Sequence, residues 1–334
     1  MFKSLFVFHT FLIASYPVLY NEDKYYHIMK INIINNTSSQ GFLIGEKLVE
    51  MGNDISYYLT NPDSIYHGNV KANIINIGKK WGIPYERTLR SKYHSLFTYA
   101  DLEISNIMPK YARANDRLTI FHGSELRDDP NLIKRSKITN TMFASTPDLL
   151  KYDDRLYLFK RIVDFNELSK VQSCNCKYKM EKKEDKVIIG HFPTIPSIKG
   201  SKKIVDMVDQ IQREDDRIVF YSNMGAKIPK THFVCAVASL DIFIDQFTPN
   251  IGAVGISSLQ AIALGVPSVC TINQQGVENT ELFNYVSNFI IKGSKLHIDI
   301  DEILQRPMNK AIDYVRKHHN TEQAIKLLKD HELI

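Results

Sequence analysis

The sequence predicts an α/β protein made of two doubly wound domains that face a central cleft. Three observations carry this. From Lys30 onward, short runs rich in β-branched residues alternate with amphipathic runs of helical period. That alternation stops in a polar, Lys/Glu-rich stretch over residues 165–185 and starts afresh at Lys186. Finally, 334 residues are more than one hydrophobic core ordinarily holds.

The elements follow in order. KINIIN (30–35) reads as a buried strand, NTSSQG (36–41) as a loop, and FLIGEKLVEMG (42–52) as an amphipathic helix stopped by glycine. DISYYL (54–59), ANIINI (72–77), LEISNI (102–107) and LTIFH (118–122) read as further strands. Strands alternating with helices imply a mostly parallel sheet covered on both faces. The second unit opens with KVIIGHF (186–192), again a buried strand. Its helix KKIVDMVDQIQ (202–212) sets Ile204, Val205, Val208 and Ile211 on one face. RIVFYS (217–222), DIFIDQF (241–247) and PSVCTI (267–272) complete a second set of strands. AIDYVRKHH and AIKLLKDHEL read as a closing helix pair. The expected organisation is an extension or weak anchor over 1–28, a first domain over 29–164 and a linker over 165–185. A second domain follows over 186–320, then a terminal helix over 321–334.

Composition narrows the function. Hydrophobic residues at 44% and charged residues at 24% are those of a globular protein. A net charge of +5, with no basic patch interleaved with aromatics, excludes nucleic acid as the expected partner and fits anionic ligands or a membrane surface. Four cysteines, irregularly spaced, make no disulfide framework and suit a reducing compartment. Cys174 and Cys176 resemble half a metal site, but no second pair stands at zinc-like spacing. They read as solvated linker thiols. The apolar run over 5–20 is shorter than the roughly 20 residues that span a bilayer. A signal peptide, a weak anchor and an upstream extension all fit it, the last two better.

Ligands of open α/β sheets sit beyond the carboxyl ends of the strands. Five segments occupy such positions: NTSSQG, HGSELR (122–127), PTIPSIKGS (193–201), SNMGAK (222–227) and GAVGISS (252–258). In the third, Lys199 and Gly200 precede a helix, where a point charge and free backbone N–H groups suit a diphosphate. The fifth supplies another helix start, with Gly255, Ser257, Ser258 and Gln260. A bland alternative is that Ser257 merely caps a core helix. Asp245 and Gln246 end a strand, and there Asp245 either meets a ligand hydroxyl or caps the next loop. His122 ends a strand of the first unit, placed to hydrogen-bond a polar substrate. Glu125 and Arg127 behind it are an ion pair or substrate contacts. His318 and His319 show no functional pattern. No nucleophile elbow, phosphate-binding P-loop or G-x-G-x-x-G follows any strand, which argues against nucleotide hydrolysis and hydride transfer.

Taken together, the segments FLIGEKLVEMGNDISYYL, FHGSELR, ASTPDLLKY, HFPTIPSIKGS and DQF…GAVGISSLQAIALGVPSV resemble, in order and spacing, the retaining, family-4-like GT-B glycosyltransferases. The resemblance spans residues 29–320 or so. It implies two Rossmann-like domains, a nucleotide-sugar donor held by the second and a glycan or lipid-linked acceptor held mainly by the first. Carried over residue by residue, it implies donor-diphosphate contact for Lys199 and Gly200, and a helix start near the diphosphate at Gly255, Ser257 and Ser258. Gln260 falls at the ribose position, and Asp245, from its strand-end position, is the candidate to meet a donor hydroxyl. Gly41 allows close backbone approach to it, His122 stands near the transferred sugar, and Glu125 and Arg127 near the acceptor. No cofactor or metal is implied, the donor being a substrate. Cytoplasmic localisation with peripheral membrane contact is the accompanying expectation, the contact suggested by the basic 79–92 stretch and the apolar N-terminal run. The chain departs from the family at three points. Gln260 stands in place of a glutamate, Gly252 in place of another, and Thr194 and Pro196 occupy ground where relatives carry an arginine. Lys202, Lys203 and Lys227 are nearby cations that could compensate for it. Two alternatives to transfer are a non-catalytic GT-B-like sugar- or partner-binding protein and a nucleotide-sugar epimerase.

Overall fold

A computed structural model describes residues 28–34, 40–59, 73–76, 102–105, 118–136, 141–173, 176–226, 228–248, 254–271, 281–292 and 295–334. Residues 1–27, the loop before Gly41, the basic 79–92 stretch, Cys174, Lys227 and Gly252 lie outside them.

The first half is a parallel sheet of seven strands: β1 (Lys30–Ile34), β2 (Asp54–Leu59), β3 (Asn73–Asn76), β4 (Leu102–Ser105), β5 (Leu118–Phe121), β6 (Thr141–Ala144) and β7 (Leu156–Leu158). Their order is β3-β2-β1-β4-β5-β6-β7, so the winding reverses between β1 and β4. Ile31 and Ile33 of β1 are buried, as are all four residues of β5. Helix α1 (Gln40–Glu50) lays Phe42, Ile44 and Leu48 on this sheet. Gly41, expected in the loop, is instead the second residue of that helix and buried within it. Helix α2 (Ser124–Asp128) follows β5, and α3 (Leu132–Ser136) leads towards β6. The sequence analysis reads no strands over β6 and β7, whose runs TMFA and LYL are short and lie among turn-forming residues.

The stretch over 165–185, expected to be a polar linker without periodicity, carries structure. Asp164 caps α4 (Phe165–Ser169) through its side chain, and a 3₁₀ turn follows over Lys170–Ser173. Phe165, Leu168 and Val171 pack on the core of the second half. Cys176 is buried too, its thiol 3.8 Å from the His232 carbonyl, and so is no solvated linker thiol.

The second half has a four-stranded parallel sheet of β8 (Val187–His191), β9 (Ile218–Ser222), β10 (Ile242–Gln246) and β11 (Ser268–Cys270), in the order β11-β10-β8-β9. Here the winding reverses between β8 and β10, so the ends of those two strands frame a ligand crevice. A short α5 (Pro196–Lys199) precedes α6 (Ser201–Glu214), whose Ile204, Met207, Val208 and Ile211 form one buried face. Helices α7 (Lys230–Ala238) and α8 (Ile256–Ala263) flank β10 in sequence. A hairpin, β12 (Ile290–Lys292) with β13 (Lys295–His297), leads to α9 (Ile300–Leu304), α10 (Met308–His318) and α11 (Thr321–Asp330).

Helix α11 returns to the first sheet. Ala324, Ile325 and Leu328 join the core formed by β1, β2 and α1. The outgoing and returning chains are fastened where they cross. His319 Nδ1–H donates to the Arg161 carbonyl at 2.8 Å, and Val163 N–H donates to the His319 carbonyl at 2.8 Å. No helix among the described residues is long and apolar enough to cross a membrane.

Candidate functional site

The crevice of the second sheet is built from chain segments that leave β8 and β10. Lys199 ends α5, and its ammonium donates to Asp245 Oδ1 at 2.7 Å and Gln246 Oε1 at 2.8 Å. Two of its three N–H groups are thereby used. The side chain remains 23% exposed while Asp245 is 2% exposed, so the pair lies at the boundary between core and crevice. The backbone carries the same closure: Phe247 N–H donates to the Lys199 carbonyl at 2.9 Å. Gly200 then takes a left-handed turn (φ 66°) into α6, where a Cβ would strike the Phe247 carbonyl.

Asp245 organises the crevice from beneath. Its Oδ2 accepts from Ser258 Oγ at 3.0 Å, and Ser258 Oγ accepts from Ser268 Oγ at 2.9 Å. Burial alone would raise this carboxyl. The Lys199 charge, with hydrogen bonds from Lys199 and Ser258, outweighs burial and holds it below the usual carboxylate range. Asp245 is therefore the internal counter-ion of Lys199, and neither caps the following loop nor reaches out of the sheet.

Above it stands the start of α8. Its N-cap is Gly255, with no side-chain cap, so Ser257 does not cap the helix and Ser258 turns inward to Asp245. A Cβ on Gly255 would meet Asp245 Oδ2, so only glycine brings the helix start this close to the carboxylate. Uncapped first-turn N–H groups and the helix dipole make this end electropositive. Gln260 is buried on the same helix. His191, missed in the sequence although it ends KVIIGH, supports the floor. Its Nδ1–H donates to the Ile244 carbonyl at 2.9 Å, which leaves Nε2 to accept from Ser201 Oγ at 2.7 Å. Burial lowers its pKa, so the ring is neutral in that role.

His122, Glu125 and Arg127 form a separate group on the first sheet. His122 directly follows β5, and Arg161 Nη2 donates to its carbonyl at 3.2 Å. Burial, helped by the Arg161 guanidinium, pushes the His122 pKa down to about 3, so its imidazole is neutral at pH 7. Glu125 lies on α2. The Glu125 side chain lies outside the described residues, while Arg127 forms an ion pair with Asp148. Its Nε and Nη2 reach Asp148 at 2.8 and 2.9 Å, and Nη2 also donates to Thr146 Oγ1 at 3.0 Å. That fork fixes the turn over residues 145–148 and commits the guanidinium to the protein itself.

A small pocket of about 40 Å³ has walls from both halves. Arg161, on one wall, touches His122, and Val254, on the other, precedes Gly255. Among the described residues no group of His, Cys, Asp and Glu side chains is placed to hold a metal ion.

No protein-family model and no curated protein matches the chain. Solved structures do. The catalytic domain of starch synthase IV from Arabidopsis thaliana, solved with ADP and acarbose, superposes with a TM-score of 0.58 at 9% identity. That match covers 92% of this chain and 98% of the other. The glycosyltransferase of kitacinnamycin gives 0.55 at 11% identity, over 91% and 99%. A glycosyltransferase of avilamycin A biosynthesis gives 0.53 at 12%, over 91% and 97%. The chain thus has the GT-B fold, with its two parallel sheets wound as Rossmann-like units.

Proposed function

We propose that the protein is a retaining glycosyltransferase that moves a hexose from a nucleotide-diphosphate sugar to the hydroxyl of a glycan or lipid-linked acceptor. The observation that carries this is the Lys199 ammonium, held by Asp245 and Gln246 beside the uncapped start of α8, at the switch point of the second sheet. The third N–H of Lys199 and the first-turn amides of α8 suit the charge that develops on a leaving diphosphate. Being preorganised by Asp245 and Gly255, they stabilise it without a metal. Gly200 and Ser257 border the diphosphate, and the Gln260 amide serves a ribose hydroxyl as a neutral acceptor. His122, uncharged at neutral pH, orients the sugar or acceptor and forms no covalent intermediate. Arg127 acts through Asp148 by holding the adjoining turn. Closure of the halves over the donor excludes water and suppresses hydrolysis. The accompanying setting is cytoplasmic, with peripheral contact to a membrane that carries the acceptor. The solved starch synthase domain, bound to ADP, supports a nucleotide guest for this fold.

The test is a thermal-shift and calorimetric panel of UDP-, GDP- and ADP-sugars. One of them should bind, and Lys199→Ala should weaken it at least about tenfold, the loss of one charge-assisted contact. If none binds the wild type, the transferase reading fails.

A second reading, a non-catalytic sugar-binding protein, is favoured by one feature, the neutral Gln260 where the resemblance implies a ribose contact. Gln260→Glu tests the ribose role on which both readings turn. An active-site role predicts tighter donor binding in the variant, whereas unchanged binding returns α8 to a core helix.

A further inference from the structure

The pocket between the halves shares no lining residue with the Lys199 crevice, yet it is polar in a specific way. Lys160 lies on one wall, 5.6 Å from the centroid of the Tyr314 ring on the other. Among the described residues it makes no ion pair. Burial lowers its pKa, the mark of a cation drawn partly out of water without full compensation. Glu281, the acidic side chain whose field reaches both Lys160 and Tyr314, accepts a hydrogen bond from the Tyr285 hydroxyl at 2.9 Å. Arg161 adds a second positive charge to the same wall. Ser145, also lining the pocket, is 5% exposed, and its hydroxyl has no hydrogen-bond partner. A buried polar group left unpaired is costly, so an unpartnered Ser145 hydroxyl in a pocket that Lys160 also lines is short of an acceptor.

We propose that this pocket binds a phosphate group, free or as a small phosphate monoester, with Lys160 as the point charge, Arg161 as the second cation and the Ser145 hydroxyl as a neutral donor. A tetrahedral oxyanion matches the chemistry of these groups, because its several acceptor lone pairs can serve cations and a hydroxyl donor together. The apolar remainder of the wall, such as Leu259, suits the body of a monoester. Because the walls come from both halves, an occupied pocket ties the halves together beside their crossing point. Arg161 also connects it to His122, whose carbonyl it already holds.

The experiment titrates the full chain with inorganic phosphate and with glycerol 3-phosphate, read by calorimetry. Saturable binding is expected in the wild type and in Lys199→Ala. It should weaken at least about tenfold in Lys160→Met and recover in Lys160→Arg, which keeps the charge in a fold that tolerates a long side chain. Tighter binding of glycerol 3-phosphate identifies a monoester as the ligand, and equal binding identifies free phosphate. Loss of binding in Lys199→Ala with none in Lys160→Met would place the anion in the crevice and overturn the proposal. So would the absence of saturable binding below about 10 mM.

Discussion

The Lys199 ammonium and the Asp245 carboxylate meet at 2.7 Å across the point where the strand order of the second sheet reverses. Breaking a buried pair from one side strands the other charge. Asp245→Asn keeps the shape but removes the charge that faces Lys199. It should destabilise the protein by about 3 kcal/mol, the low end for such pairs because Lys199 is partly solvated. Urea unfolding measures this, and a loss under about 0.5 kcal/mol would place the pair among surface ion pairs.

Gly255 sits where a methyl group would collide with Asp245 Oδ2. Gly255→Ala must therefore push the start of α8 off the carboxylate. The expected result is a donor affinity lowered at least about tenfold with the fold retained, since the collision lies at the crevice and not in the sheet. Calorimetry beside a far-UV spectrum distinguishes this from unfolding.

His319 sets a pH dependence. Burial lowers its pKa to about 4, below the roughly 6.5 of an unfolded histidine. Between those values the unfolded chain binds a proton that the folded chain refuses. Stability is therefore full above about pH 6.5 and falls as pH drops towards 4, by about 1.4 kcal/mol per pH unit from this residue. His319→Asn should flatten the slope of unfolding free energy against pH by that amount over that window. An unchanged slope would mean that His319 is solvated in the folded protein.

Leu328 of α11 is fully buried in the core of the first sheet. Leu328→Ala should cost about 3 kcal/mol, the range for a core leucine left as a cavity. Chemical denaturation measures it. A loss of only a few tenths would show that α11 lies on the sheet without packing into it.

Much of the sheet architecture was legible because parallel strands covered on both faces are written as short apolar runs. KINII and VIIGH are of this kind, and each is flanked by a turn and an amphipathic helix. Lys199 and the GISS segment were legible as neighbours of one crevice because each follows a strand end. Their true relation, through Asp245, was not. It joins residues 46 apart, and only the fold shows that the aspartate faces inward. His191 escaped for the same reason, its partners Ser201 and Ile244 being 10 and 53 residues away. His319 looked like one more histidine on a polar helix, because nothing local signals a hydrogen bond to a carbonyl 158 residues back. Gly41 was misplaced in a loop because the helix begins at Gln40, whose Nε2 donates to the Ile162 carbonyl and draws that turn inward.

The returning helix has a consequence for cutting the gene. A fragment ending between the halves would carry β1 to β7 yet leave Ile31, Phe42 and Leu48 without the leucine and isoleucine that cover them. The complementary fragment would hold that missing lid on a tether, its apolar side turned to solvent. Expressed apart, the two pieces should each be sticky and poorly folded. Mixed, they have a built-in reason to find each other, which makes the junction a natural place for a split reporter.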